Sequence, residues 1–145
     1  VRSSAASDVY KRQGAGRIFV TGSFWFSAAA MAAAVATIAA LRAESAIAAM
    51  QRAGAALRAG ITAQASSWGF EISYTGPDPM PYLSFAGDRD LTLVSEFAAE
   101  AVRRGAFIHP RHNWFVSAAM TDADIALALT ATDEAFGAIR KRLGQ

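Results

Sequence analysis

The chain has 145 residues, no cysteine, 53% hydrophobic and 18% charged residues, and a formal net charge of +2. That length suits one domain of ordinary size, and the lack of cysteine excludes a disulfide framework, a thiolate zinc site and a cysteine nucleophile while fitting a reducing compartment. With 14 basic residues against 12 acidic ones and no dense Lys/Arg stripe, a nucleic-acid partner is not expected.

Residues 1–13 have no periodicity and read as a disordered head. The run from Ser3 to Gln13 resembles translated sequencing adapter, and the natural product is expected to begin upstream. Lysine occurs as Lys11 in this head and as Lys141 beside Arg140 and Arg142. Neither has the apolar surroundings that depress an amine pKa, so Schiff-base chemistry through a lysine of this chain is not expected. Residues 24–41 carry no charge over 18 positions, long enough for a membrane span or an extended signal segment. Most of the run is alanine, though, and only Met31, Val35, Ile38 and Leu41 join the Phe24-Trp25-Phe26 cluster as large groups. A buried helix of a protein without a membrane partner fits better.

A second helix follows Glu44, with Ile47, Met50, Gly54, Leu57 and Ile61 as its inward stripe. The period then changes to two. Phe70, Ile72 and Tyr74 alternate with Glu71, Ser73 and Thr75, Gly76-Pro77-Asp78-Pro79 makes a turn, and residues 82–86 return as an antiparallel strand. Asp88 or Asp90 caps a third helix that points Leu91, Val94, Phe97, Ala101 and Val102 inward and stops at Arg103-Arg104-Gly105. Residues 106–108 and 114–118 are short strand candidates around the loop His109-Pro110-Arg111-His112-Asn113. Thr121 with Asp124 forms a box-like start to the last helix. Its inward stripe is Ile125, Leu129, Thr132, Phe136, Ile139 and Leu143.

Few residues carry chemistry on their own pattern. His109 and His112 are separated by Pro110, which argues for a loop rather than one helical face, and no metal site is expected there. Most carboxylates read as solvated or capping. Gly14-Ala15-Gly16 lacks the third glycine of a dinucleotide fingerprint. Two segments have more to offer. Thr21-Gly22-Ser23 precedes the long helix, where hydroxyls and backbone N–H groups serve either as an ordinary N-cap or as a phosphate site. Arg111, on an aromatic-rich loop, suits a carboxylate or phosphate oxygen, or else stacks on Trp114.

The stretch Ile18-Phe19-Val20-Thr21-Gly22-Ser23-Phe24-Trp25-Phe26-Ser27, followed by Met31-Ala32-Ala33-Ala34 and Ala36-Thr37-Ile38, resembles the late part of class III pyridoxal-phosphate aminotransferases. The branch around glutamate-1-semialdehyde 2,1-aminomutase is the most similar, and the order of elements through Gly105-Ala106-Phe107-Ile108-His109-Pro110 to the last helix agrees. The resemblance implies the C-terminal part of a fold-type-I enzyme of α/β class, with a long helix and a small antiparallel sheet packed by helices. It implies a division into a head (residues 1–16), the end of a large cofactor domain with its connecting helix (17–43) and a small domain (44–145). It further implies pyridoxal phosphate as cofactor, a cytoplasmic homodimer with a shared active site, and a small amino or keto substrate. The Schiff-base lysine would lie upstream. Counting back from Met31 without gaps, the family's phosphate-contacting glycine-threonine pair falls on Gly22 and Ser23, with Thr21 adjacent, while Phe26-Ser27-Ala28 departs from the family's Gly-Asn-Pro. Trp25, with Phe24, would line the substrate entrance, and Arg111 is the candidate for substrate binding. The rival reading is a non-enzymatic α/β interaction domain behind an N-terminal membrane anchor or signal segment.

Overall fold

Alanine favours helix at almost no side-chain entropy cost, so an alanine-rich stretch stays helical until a turn residue stops it. The computed structural model describes residues 27–144 together with Gln13. The chain divides into two units, Val1–Ala40 and Leu41–Gln145. Helix α1 (Ala28–Ala43) has no buried residue. Met31, Val35 and Ile38 are 48%, 70% and 52% exposed, which corrects the expectation of a buried helix. Propensity alone forms it, and propensity says nothing about cover. Among the described residues no single helix is long and apolar enough to cross a membrane.

Ser45, in the left-handed region at φ 51°, precedes helix α2 (Ala46–Ser67). Gly54, Leu57, Ile61 and Ala65 are buried as the stripe requires, whereas Ile47 is exposed. At the start of the helix the buried position is Ala46, so the covered strip there passes beside Ile47. The carbonyl of Asp78 occupies the space a Cβ would need at Gly54.

Strands β1 (Ile72–Thr75) and β2 (Tyr82–Phe85) form an antiparallel pair, with Ile72 opposite Phe85 and Thr75 opposite Tyr82. Leu83 and Phe85 are buried, and Phe70, Ile72 and Tyr74 pack on the same core. Helix α3 (Thr92–Arg103) starts where the Asp88 carboxylate accepts from the N–H groups of Leu93 and Val94 at 3.0 and 2.8 Å. Asp90 accepts from Thr92 N–H at 3.2 Å. Val94, Phe97, Ala98 and Ala101 face inward, but Val102 is exposed. It stands one position round from Ala101, outside the strip that α4 covers. Gly105, at φ 96°, takes the chain out of the helix in a conformation costly for other residues.

Residues 106–108 and 114–117 form no strand, and residue 118 lies in a turn. Trp114 N–H donates to Pro81 O at 2.8 Å and Val116 N–H to Pro79 O at 2.9 Å. Each proline lacks the N–H that would return the bond, so no ladder closes. Helix α4 (Asp122–Arg142) begins with the capping box: Thr121 Oγ1 accepts from Asp124 N–H at 3.3 Å, and Asp124 Oδ2 accepts from Thr121 N–H at 2.7 Å. Ile125, Thr132, Phe136 and Ile139 are buried, and Leu129 is half-buried. Leu143 is exposed, because it lies beyond the end of the helix and of its partners.

One core joins these elements. Phe136 meets Phe70, Phe85 and Phe97 at ring-centroid distances of 5.6, 5.9 and 4.5 Å. A smaller cluster of Leu57, Val116 and Ile125 lies between α2 and α4. Phe136 is fully buried, so Phe136→Ala is expected to cost about 3–5 kcal/mol. Denaturant melts check this, and a loss below about 1 kcal/mol would show that the rings do not act as one core.

Candidate functional site

The loop 109–113 is held by groups its own sequence supplies. The Trp114 indole N–H donates to His109 O at 2.9 Å, closing the loop on itself. Inside it, Arg111 N–H donates to His109 Nδ1 at 3.1 Å, and the His112 ring lies 2.8 Å from Asn113 O. The two imidazoles stand edge to face at 6.2 Å. Among the described residues no group of His, Cys, Asp and Glu is placed to hold a metal ion. Trp114 stacks its edge with Tyr74 at 6.0 Å.

The loop has two unlike surroundings. Phe107, His109, His112, Trp114 and Phe115 line a depression of about 410 Å³. Beside it Leu57, Ile61, Val116, Ile125 and Leu127 line an apolar cavity of about 300 Å³. Phe107 is 86% exposed and Phe115 62%. Arg111 instead lines a hollow of about 340 Å³ with Thr92, Glu96, Arg103 and Arg142. Arg103 and Arg142 are engaged by Glu100, and Arg142 also by Glu96. Among the described residues Arg111 pairs with no carboxylate and does not stack on Trp114, so its guanidinium is available to an anion.

Thr21, Gly22, Ser23, Phe24 and Trp25, the other residues named from the sequence, fall outside the described residues.

No family model matches the chain. An aminopentol aminotransferase of Sphingopyxis macrogoltabida is 46% identical over 128 residues, covering 88% of this chain and 30% of that protein. A 3-aminobutyryl-CoA aminotransferase of Cloacimonas acidaminovorans (strain Evry) is 23% identical over 99% of this chain and 35% of its own length. The FumI protein of Sphingopyxis sp. MTA144, solved as its PLP internal aldimine form, superposes with a TM-score of 0.83 at 44% identity. It matches 92% of this chain and 32% of that one. This chain is similar to part of each of these two aminotransferases and of the PLP-bound FumI protein. It spans about a third of the length of each relative.

Lys141 is exposed on the last turn of α4, without the apolar enclosure in which an imine-forming lysine is activated. Among the described residues one buried side-chain polar atom, the Tyr74 hydroxyl, has no hydrogen-bond partner. Burial pushes its pKa up to about 12, with Asp78 adding to the rise and Arg58 opposing it.

Sequence reading missed the ion pairs. Glu100, 8% exposed, receives Arg103, Arg104 and Arg142 at 2.6, 2.6 and 2.8 Å. The spacings to Arg103 and Arg104 on one helix were a visible signal; the contribution of Arg142 from α4 was not. Hydrogen bonding from Arg104, followed by the charge of Arg103, holds the Glu100 carboxyl below its usual value against the opposing effect of burial. A carboxyl with a lowered folded pKa stabilises the fold above its unfolded pKa of about 4.3 and loses that contribution as pH falls through the folded value. Glu100→Gln should therefore lower the melting temperature at pH 7, and the gap to the native chain should shrink on acidification from about pH 5 to about pH 3. A gap independent of pH in melts across that range would rule out the charge as its origin.

Proposed function

We propose that the chain is the small-domain end of a PLP-dependent aminotransferase that moves an amino group between small amino and keto compounds. The observation that carries this reading is the TM-score of 0.83, at 44% identity, to an enzyme solved with its PLP internal aldimine. The names of the relatives favour transfer between molecules over the intramolecular aminomutase reading. Pyridoxal phosphate, when bound, supplies an electron sink for bonds at the amine-bearing carbon.

The residues of this chain bind and orient. Gly22 and Ser23 offer a backbone N–H and a hydroxyl to the phosphate of the cofactor held by the other subunit of a homodimer, with Thr21 the neighbouring donor. Arg111 takes a substrate carboxylate, since no carboxylate of the described chain neutralises it, and Trp25 lines the entrance. Cytoplasmic location belongs to the same reading. Exposure of Phe107, Phe115, Met120 and Leu127 supports a further protein surface lying against this one.

Hydrogen bonds to charged groups contribute on the order of 1.5–3 kcal/mol, so Ser23→Ala in the full-length enzyme should weaken the cofactor about tenfold to a hundredfold. Cofactor dissociation from folded, dimeric Ser23→Ala and Thr21→Ala variants decides which hydroxyl acts. Unchanged dissociation in both would reduce these hydroxyls to helix caps. Arg111→Ala should raise KM for a carboxylate-bearing amino acceptor about tenfold or more with cofactor binding unchanged. An unaltered KM removes Arg111 from the site.

A further inference from the structure

Arg58 lies off the inward stripe of α2, yet its guanidinium is engaged at every nitrogen. Nε donates to Asp78 Oδ1, one terminal nitrogen to Tyr74 O and the other to Gly76 O, each at 2.6 Å. Its carbon lies 4.8 Å from the centre of the Tyr74 ring. A planar fork with fixed donor directions holds three acceptors at once, which a lysine ammonium on a flexible stem does not reproduce. The result is a fixed turn between β1 and β2. Gly54 lets α2 approach Asp78 O at the same place, and Met80 N–H donates to Pro77 O at 2.8 Å.

The turn has a second duty. Pro79 O and Pro81 O receive the N–H groups of Val116 and Trp114, and Trp114 closes the loop that presents Arg111 through its bond to His109 O. Tyr74, under the Arg58 guanidinium, also supplies the ring on which Trp114 stands. These bonds run one way, from the loop to proline carbonyls. The prolines return no bond, so the backbone of this segment is tied to the turn by these two bonds, with Val116 also packed on Leu57 and Ile125.

We propose that Arg58 is a positioning residue for the loop carrying Arg111, acting through the proline turn and Trp114. The local consequence stands on the contacts above; its consequence for substrate rests on the reading of Arg111 under Proposed function.

Amide hydrogen exchange on the 145-residue chain tests the local part. Arg58→Ala should speed exchange at Trp114 and Val116 at least tenfold beyond the change at the buried α4 positions Phe136 and Ile139, and shift the Trp114 indole N–H resonance. Arg58→Lys, which keeps the charge near Asp78 but not the fork, should show the same pattern to a smaller degree. Val94→Ala, a core truncation on α3, should speed both sets in proportion. Arg58 variants that change both sets in proportion, or neither, overturn the proposal, and Arg58→Lys keeps the test open if Arg58→Ala does not fold. In the full-length enzyme Arg58→Lys should raise KM for the carboxylate-bearing acceptor severalfold with cofactor dissociation unchanged. If Arg111→Ala leaves KM unaltered while the exchange pattern holds, the substrate role of Arg111 falls and the positioning role stands. If Arg111→Ala raises KM while Arg58→Lys leaves both KM and exchange unaltered, the positioning role falls alone.

Discussion

Everything in the larger unit depends on four phenylalanine rings meeting at one point. Phe70 leads into β1, Phe85 ends β2, Phe97 belongs to α3 and Phe136 to α4. A two-stranded ribbon is marginal in water by itself and needs a packed face. Here that face is aromatic, and edge-on contacts such as Phe70 to Phe85 at 5.5 Å hold the ribbon to the helices more specifically than aliphatic side chains would. Small residues make the approach possible. Ala98 and Ala101 on α3 and Ala131 and Ala135 on α4 are all buried, and Gly137 leaves room for the Trp68 ring. Arg140 seals the edge, donating to Trp68 O at 2.6 Å with its guanidinium over Phe70 at 4.5 Å.

Proline sets the opposite constraint on the other side of the ribbon. A third strand would extend the sheet past β2, and residues 114–116 run where its partner would bond. Pro79 and Pro81 accept there and cannot donate, so the sheet stops at two strands and the segment becomes a tethered loop. The same substitution of acceptors for a full ladder that limits the sheet therefore frees residues 109–113 to project side chains.

Local signals carried the sequence reading furthest. The capping box at Thr121 and the four-and-three stripe from Ile125 to Ile139 need only near neighbours, as does the alternation through Phe70, Ile72 and Tyr74. Readings failed where the partner is distant in sequence. Leu143 continues its stripe beyond the elements that would cover it, Ile47 stands beside the covered strip that passes through Ala46, Val102 sits at the edge of a strip whose width α4 decides, and alanine in α1 predicts helix without predicting burial. The tie from Arg58 to Asp78 crosses 20 positions and has no signature in either segment. For the candidate site, the aromatic loop carrying Arg111 was legible, with an anion contact and stacking on Trp114 both left open. Which face it takes was not, because Arg103 and Arg142 reach that hollow from two different helices. Thr21, Gly22, Ser23 and Trp25 rest on the family resemblance.

The two faces of the loop make their functions interdependent. A lone guanidinium in water attracts a carboxylate only weakly, since solvent screens the pair and Glu96 and Asp90 line the same hollow with opposing charge. Arg142 pairs with Glu96 at 3.4 Å and offsets part of its charge, while Arg103 is engaged by Glu100 and leaves Asp90 unopposed. Selectivity at Arg111 thus requires a surface that excludes water from the pair. Phe107 and Phe115, on the other side of the loop, require cover for a different reason, the exposed apolar area they present. A single protein surface laid over this loop would satisfy both needs at once: burying the aromatic side lowers the local dielectric in which Arg111 acts. If Arg111 binds substrate as proposed, anion recognition is then a property of the covered loop, and the proposed positioning by Arg58 and the proline turn would keep the loop in register for that cover.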